Sequence, residues 1–284
     1  MNTEAVNRYT LESEIDSGSQ GQVVRALDTV TNDAVAIKIF SISSPVGAFG
    51  FANEYLIHKL MSGKSNRICT MLDSFQIPNQ LGFIVMKKYK QDLYDRVFAS
   101  EIKLSPKRLK HIFKKICQGV KDLHKAGIAH LDIKPENVLL DENQKVFLCD
   151  FGFSYVLDPT KSKLSKRLRK TIHEKLQGRG TKRYAAPEVY NAEEFNPFCA
   201  DIYSLGITLH ALLTGFYPTT PNTNDLNLEI AKSKLSRKCF SLLSSMVHSD
   251  PSKRPTIEVV LRSEWLNDSK CRKMKNQIAH YASI

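Results

Sequence analysis

The sequence predicts an α+β fold with two lobes, a small β-rich N-terminal lobe with one main helix and a larger α-helical C-terminal lobe. Residues 9–89 alternate short apolar runs of strand type with polar turns, whereas apolar residues at helical spacing dominate from about residue 90. The chain has 284 residues. A single hydrophobic core rarely grows to that size, so two lobes are expected.

One stretch of the N-terminal lobe departs from the alternation of strands and turns. Residues 51–60 have helical character, and Glu54 is the single acidic residue among them. Two interpretations of Glu54 remain open. It is either a surface residue of an amphipathic helix or the partner of a basic group elsewhere in the lobe.

The C-terminal lobe contains a clear helix start at Ser105-Pro106, because serine caps a helix well and proline suits its first turn. Apolar residues follow at helical spacing and are expected to face the core: Leu109, Ile112, Phe113, Ile116, Val120 and Leu123. Further helices are expected at about 201–213, 236–247 and 256–261. No internal repeat or low-complexity linker interrupts the chain.

A β-hairpin is expected near the middle of the chain. Residues 138–140 and 145–148 are apolar runs of strand type, and the polar residues 141–144 between them have turn character. The open ends of a hairpin lie side by side. Asn137, which enters the first strand, and Asp150, which follows the second, are therefore expected to lie close together.

The segments on either side of this hairpin carry the polar groups of greatest chemical interest. Residues 130–137 read HLDIKPEN and residues 150–152 read DFG. They provide the carboxylates of Asp132 and Asp150, the ammonium of Lys134 and the amide of Asn137. These groups suit metal-assisted transfer of a phosphoryl group to a hydroxyl, because that reaction needs a proton acceptor, hard oxygen ligands for a cation and charge neutralisation.

The order of these residues resembles the catalytic core of eukaryotic-type protein kinases, with HLD in place of the usual HRD. The resemblance implies the bilobal protein-kinase fold and the use of ATP and Mg²⁺. It implies that Asp132 orients the substrate hydroxyl and accepts its proton, that Lys134 neutralises the transferring group, and that Asn137 and Asp150 bind the metal. Lys134 together with Thr181 resembles the serine/threonine branch.

Further kinase motifs lie upstream. Residues 18–23 resemble the glycine-rich loop whose backbone N–H groups approach phosphate oxygens. The fit is imperfect, because Asp16 takes the place of the first glycine and Gln20 that of the aromatic residue at the tip; an ordinary β-turn remains open. The residues implied to surround the nucleotide are Ile15, Gly18, Ser19, Gly21, Val23, Ala36, Lys38, Met86, Lys88 and Asp92.

Lys38 closes the apolar run VAIK at residues 35–38 and matches the lysine that contacts the α- and β-phosphates in the family. An unpaired ammonium in a partly buried cleft is costly, so a carboxylate partner is expected. Glu54 is the candidate. The resemblance thus gives four catalytic residues, Lys38, Glu54, Asp132 and Lys134.

Three residues are implied to have structural roles. Glu188 ends the motif of residues 180–188, and Arg254 is its expected partner, because a guanidinium binds a carboxylate in a two-pronged way. Asp201 matches the carboxylate that anchors the backbone of the catalytic loop. The resemblance covers residues 9–267, with lobes at 9–89 and 90–267. A tail at 1–8 and a basic tail at 268–284 flank them.

Two departures concern regulation. Leu131 stands where most members carry the arginine that clasps a phosphate on the activation loop. Activity without loop phosphorylation is therefore expected.

The second departure is the basic character of residues 161–175, in which Glu174 is the single acidic residue. They are either a solvated loop or a docking surface for an acidic partner, which the net charge of +12 favours.

Composition bears on location and on competing functions. Neither a leader sequence nor an apolar membrane span is evident, so an intracellular protein is expected, in the cytoplasm, the nucleus or both. The six cysteines lack paired spacing, so their thiols are expected to be reduced. A protein substrate is the expected partner.

The main alternative function is that of a pseudokinase, which serves as a nucleotide-binding scaffold. Nucleic-acid binding is not favoured, because the basic stretch lacks interleaved aromatic residues.

Overall fold

The structure is a computed structural model that describes residues 7–18, 21–99, 104–157, 178–191, 195–215 and 235–268. Ser19, Gln20, the basic stretch 161–175 and most of the tail 268–284 lie outside the described residues. The chain divides into two compact units. The first contains Met1–Gln91 and Leu139–Ser154, and the second contains Asp92–Val138 and Tyr155–Ile284.

The first unit is built on a five-stranded antiparallel sheet with the order β1-β2-β3-β5-β4. The strands are β1 (Tyr9–Gly18), β2 (Gly21–Asp28), β3 (Asp33–Ser41), β4 (Met71–Ile77) and β5 (Leu81–Lys87). Alternate residues face opposite sides of a sheet. One face forms the core cluster of this unit: Tyr9, Val24, Ala26, Val35, Ile37, Phe83 and Val85.

The helix expected around Glu54 is present as α1 (Pro45–Met61). The Ser44 hydroxyl accepts a hydrogen bond from the Gly47 N–H at 3.1 Å, and Pro45 occupies the first turn. This start combines a capping side chain with a residue whose own N–H is not needed. The helix buries Phe51, Glu54, Ile57, His58 and Met61.

The expected hairpin is also present, as β8 (Val138–Leu140) and β9 (Val146–Leu148), and most of it belongs to the first unit. The Asp141 N–H donates to the Lys145 carbonyl, and Gln144 turns the chain with φ +60°. Backbone bonds attach the hairpin to the rest of the unit. The Lys90 N–H donates to Leu140 at 3.0 Å, and the Cys69 N–H donates to Leu148 at 2.8 Å.

The second unit is mainly helical. Its helices are α2 (Pro106–Lys125), α3 (Glu188–Asn191), α4 (Pro197–Thr214), α5 (Arg237–Met246), α6 (Ile257–Arg262) and α7 (Glu264–Asn267). A π-helical turn spans Asp95–Ala99, and 3₁₀ turns span Pro135–Asn137 and Pro251–Lys253. The short strands β7 (Ile128–Ala129) and β10 (Tyr155–Val156) pair with each other, and β6 (Gln91–Asp92) lies where the first unit passes into the second.

The helices expected from the sequence in this unit are confirmed, with one shifted boundary. The helix expected at 201–213 begins at Pro197. The reason is local, because the Asn196 side chain accepts a hydrogen bond from the Phe198 N–H at 3.0 Å and proline occupies the first turn. Apolar residues alone do not reveal such a start.

Two general features concern the described residues as a whole. None of their helices combines the length and the apolar character that crossing a membrane requires. None of the five cysteines among them forms a disulfide: Cys69, Cys117, Cys149, Cys199 and Cys239.

Candidate active site

Lys38 forms the centre of the polar group in the first unit. Its Nζ lies 2.7 Å from Glu54 Oε2 and 2.8 Å from Asp150 Oδ1, and only 6% of its side chain is exposed. Burial alone lowers the pKa of a lysine, but the two carboxylates outweigh that effect and raise the pKa of Lys38 above its ordinary value. Lys38 therefore stays charged, and the ion pair with Glu54 expected from the sequence is present.

Glu54 is fully buried, and this carboxyl is held by helix α1 against strand β3. Burial raises its pKa, and the nearby Lys38 ammonium opposes that change. His58, one helical turn further along, is also buried, and its ring packs edge-on against Phe151 with 5.3 Å between centroids. Sequence reasoning did not identify His58, because a single histidine on a helix carries no signal of its neighbours.

Asp150 adopts an unusual backbone conformation, with φ +62°. Few residues other than glycine occupy this left-handed region, and those that do are held there by their surroundings. Its Oδ1 accepts from Lys38 and, at 3.3 Å, from the Gly152 N–H. The carboxylate is 31% exposed, compared with 6% for Lys38. It is therefore fixed in place and partly accessible from outside.

The sheet face opposite the core cluster carries several of the residues implied to contact nucleotide. Val23 is opposite Lys38 in the β2–β3 register, and Ala36 is opposite Met86 in the β3–β5 register. Because side chains alternate along a strand, these four lie on one face. Lys38 thus lies on the same face as the apolar side chains of Val23, Ala36 and Met86, whereas Val35 and Ile37 face the core cluster.

The glycine-rich segment joins β1 to β2. Gly18 ends the first strand and Gly21 begins the second with φ +147°, where an added Cβ would meet the Ile39 carbonyl oxygen at 2.2 Å. Glycine is required at position 21 for that reason. Ile15 is half exposed on β1. Asp16 is exposed as well, and its Oδ1 accepts the Ser17 N–H at 2.8 Å.

Lys88 lies directly after β5, beside a cavity of about 480 Å³. Its ammonium donates to the Tyr89 carbonyl at 3.3 Å. The cavity is also lined by Arg25, Lys87, Lys90 and the turn of residues 141–143, and Lys38 is not among its lining residues. It is therefore distinct from the Lys38 group.

Asp132 is the centre of the polar group in the second unit. It is 3% exposed. Its Oδ1 accepts the Thr181 N–H at 2.7 Å, and its Oδ2 accepts from Asn137 Nδ2 at 2.9 Å and lies 3.2 Å from Lys134 Nζ. Lys134 Nζ also donates to the Thr181 hydroxyl at 2.7 Å. The four residues therefore hold one another in fixed positions.

The backbone that carries Asp132 is anchored by Asp201. The Leu131 N–H donates to Asp201 Oδ1 and the His130 N–H donates to Oδ2, both at 2.8 Å. Leu131 has φ +62°, so this anchor stabilises a left-handed residue next to Asp132. His124 Nε2 also lies 2.8 Å from Asp201 Oδ2. Sequence reasoning missed His124, which lies 77 positions from Asp201 in the chain.

Glu188 and Arg254 form the expected two-pronged pair. Arg254 Nη1 and Nη2 donate to Glu188 Oε1 and Oε2 at 2.5 and 3.0 Å. The Arg254 side chain is fully buried and that of Glu188 is 9% exposed. Arg254 also donates to the His248 and Cys199 carbonyls. The pair thus joins the start of α3 to the segment before α6.

Asp92 lies in the second unit at the end of β6. Burial raises the pKa of its carboxyl to about 6, which the Asp95 N–H opposes by donating to Oδ1 at 2.8 Å.

The donor set can be tested for its fit to Mg²⁺. Among the described residues, no group of three or more histidine, cysteine, aspartate or glutamate side chains is arranged to hold an ion. Magnesium bound with nucleotide needs only one or two protein oxygen ligands, because phosphates and water supply the others. The partly exposed carboxylate of Asp150 and the amide of Asn137 are hard oxygen donors, so each unit offers one ligand that fits.

Comparison with known proteins gives a family match and several distant relatives. The family described as "Protein kinase domain" matches residues 9–266. CBL-interacting protein kinase 11 of Oryza sativa subsp. japonica is 28% identical over 92% of this chain and 51% of its own length. Maternal embryonic leucine zipper kinase of Xenopus laevis is 28% identical over 93% and 40%. The serine/threonine-protein kinase chk1 of Schizosaccharomyces pombe is 29% identical over 83% and 47%. The chain thus spans about half or less of each of these three relatives.

Proposed function

Because this chain belongs to the protein kinase domain family, we propose that it transfers the γ-phosphoryl group of Mg-ATP to a serine or threonine hydroxyl of a protein substrate. One observation carries the proposal. The buried ammonium of Lys38 contacts Glu54 at 2.7 Å and Asp150 at 2.8 Å, and the pair with Glu54 is the ion pair that phosphoryl transfer by a protein kinase requires.

The first unit is proposed to bind the nucleotide. Lys38, held charged and fixed by Glu54, would contact phosphate oxygens, and the apolar face around it would receive the base. The other residues assigned to this role are Ile15, Gly18, Ser19, Gly21, Val23, Ala36, Met86 and Lys88, together with Asp92 of the second unit for the ribose. Ser19 is assigned on sequence alone, because it lies outside the described residues.

The second unit is proposed to activate the substrate hydroxyl. Asp132 would accept its proton, and three donors orient this carboxylate: the Thr181 N–H, Asn137 and Lys134. Lys134 would stabilise negative charge that grows on the transferring group. Asn137 and Asp150 would hold Mg²⁺, which when bound neutralises phosphate charge.

The choice of serine or threonine over tyrosine is supported by the contact between Lys134 and Thr181. The ammonium donates to the threonine hydroxyl at 2.7 Å, so both residues typical of that branch are present and touch each other. The printed name of the Schizosaccharomyces pombe relative, a serine/threonine-protein kinase, agrees with this choice.

The alternative is a pseudokinase that binds nucleotide as a scaffold without turnover. Asp16, Gln20 and Leu131 favour it, because all three depart from the family pattern. The test is Mg²⁺-dependent transfer of labelled γ-phosphate from ATP to serine or threonine of a generic basic protein. A scaffold would bind Mg-ATP and transfer nothing.

We further propose that activity does not require phosphorylation of the activation loop. Leu131 is 4% exposed and apolar, so its side chain is buried and has no charge to clasp a phosphate. Treatment with a phosphatase, or replacement of Thr160, Ser162, Ser165 and Thr171 by alanine, is expected to change kcat less than threefold. The measurement is the initial rate of transfer. Loss of all activity from a folded variant would refute the proposal.

Location and further partners are proposed on sequence grounds. We place the protein inside the cell, with a protein as its substrate. The basic residues 161–175 are a candidate docking surface for an acidic partner, and they lie outside the described residues.

A further inference from the structure

Asn53 lies immediately before Glu54 on helix α1, and its side chain contacts the backbone of the DFG segment. Its Nδ2 lies 2.8 Å from the Phe151 carbonyl oxygen, 3.3 Å from that of Gly152 and 2.8 Å from that of Ser154. The side chain is half buried. One amide group therefore faces three carbonyls of the segment that follows Asp150.

These contacts determine which end of the Asn53 amide faces the segment. Carbonyl oxygens only accept hydrogen bonds, so the NH₂ group must point toward them and the amide oxygen away. The NH₂ group has two hydrogens for three acceptors. The two contacts at 2.8 Å are thus the main bonds, and the contact with Gly152 at 3.3 Å is shared. An aspartate at position 53 would have the same shape, but its carboxylate only accepts hydrogen bonds and would face three carbonyl oxygens that cannot donate.

The segment that Asn53 holds needs such support. Asp150 has φ +62°, a conformation that costs energy for a residue with a Cβ and therefore depends on surrounding contacts. Lys38 holds its side chain at 2.8 Å. Asn53 holds the backbone that follows, and the His58 ring packs on Phe151. Consecutive residues of α1 therefore act on the same strained residue, Glu54 through Lys38 and Asn53 through the carbonyls.

We propose that Asn53 is a positioning residue that keeps the backbone of residues 150–154 in the conformation in which the Asp150 carboxylate meets Lys38. It couples the placement of helix α1 to the placement of the proposed metal ligand. Its effect on Mg²⁺ rests on the proposed function, whereas its effect on the backbone does not.

Two variants test this role and a third is the control. Asn53→Ala removes the donors, and Asn53→Asp keeps the shape but replaces the donor with a charged acceptor. Asn79→Asp makes the same chemical change at an exposed position of the turn between β4 and β5. Any effect of an added negative charge on the first unit appears in this control.

The first measurement is amide hydrogen exchange of the nucleotide-free protein. The Gly152 and Ser154 amides are bonded within the segment, to Asp150 Oδ1 and the Phe151 carbonyl. Exchange over residues 150–154 is expected to become about tenfold faster in both Asn53 variants, because at least two hydrogen bonds are lost. Exchange in β2 and β3 should stay unchanged, which shows that the fold is retained.

The second measurement is ATP binding as a function of Mg²⁺ concentration, made without protein substrate so that no phosphoryl group is transferred. The quantity compared between variants is the Mg²⁺ concentration at which ATP binding is half-maximal. It is expected to rise about tenfold in the Asn53 variants and to stay unchanged in Asn79→Asp. Unchanged exchange over 150–154 in folded Asn53 variants would overturn the inference. A wild-type protein that binds no Mg-ATP would overturn the proposed function instead, and the exchange result would still decide the role of Asn53.

Discussion

Asp132→Asn is expected to lower kcat for phosphoryl transfer by about 10²–10⁴-fold, the usual contribution of a general base. The asparagine has almost the same shape, so binding of ATP is expected to change less than threefold. The variant therefore separates the chemistry at the hydroxyl from nucleotide binding, and kcat and KM for ATP are the quantities to measure.

The contacts of Asp132 explain why an asparagine cannot take over its role. Both carboxylate oxygens accept hydrogen bonds. Oδ1 accepts from the Thr181 N–H, and Oδ2 accepts from Asn137 Nδ2 and forms an ion pair with the Lys134 ammonium. Whichever way the new amide is oriented, its NH₂ group faces a donor. The negative charge that would hold the proton is also lost.

A matched control is available at Asp33, the exposed first residue of β3. Asp33→Asn should leave kcat and KM unchanged. A loss of less than tenfold in Asp132→Asn would show that Asp132 is not the proton acceptor. A parallel loss in Asp33→Asn would show that the assay responds to net charge.

Arg254→Ala is expected to produce the largest loss of stability, about 3–5 kcal/mol in the free energy of unfolding. The substitution leaves the Glu188 carboxylate buried without the guanidinium that binds both of its oxygens. It also removes the donors to the His248 and Cys199 carbonyls. Urea unfolding followed by circular dichroism measures the effect.

Further variants separate a lost ion pair from a lost side chain. Arg254→Lys keeps the charge but binds one oxygen at a time, so it should lose less than the alanine variant. Arg262→Ala, at an exposed position of α6, should change the free energy of unfolding by less than about 0.5 kcal/mol.

The double variant Glu188→Leu with Arg254→Met should recover part of the stability that Arg254→Ala loses, because no unpaired charge stays buried. An equal loss in the double variant would contradict this explanation.

Much of the fold could be predicted because local patterns were strong. The polar turn between residues 140 and 145 and the serine-proline start of α2 each have a local physical cause, and both are present. The early start of α4 was missed because its signal, Asn196-Pro197, precedes the apolar residues. The attachment of the hairpin to the first unit could not be predicted, because it depends on backbone bonds such as that from Cys69 to Leu148.

In the candidate site, too, some contacts could be predicted from the sequence and others could not. The pairs of Lys38 with Glu54 and of Glu188 with Arg254 could be predicted because charge requires a partner when buried. The left-handed backbone of Leu131 and Asp150 could not, because leucine rarely adopts it and aspartate, although it adopts it more often, does so at few of its positions. Asn53 was missed for a related reason: its partners are backbone carbonyls, which every sequence contains.

The central claim is that this chain catalyses phosphoryl transfer and does not merely bind nucleotide. The most direct measurement is transfer of labelled γ-phosphate from Mg-ATP to a generic basic protein by the wild type and by Asp150→Asn, followed by identification of the labelled amino acid. We predict phosphoserine or phosphothreonine from the wild type and at least a hundredfold less from Asp150→Asn, about the size of effect expected for loss of a metal-binding carboxylate. Absence of label with the folded, Mg-ATP-bound wild type, or equal labelling by both proteins, would contradict the account.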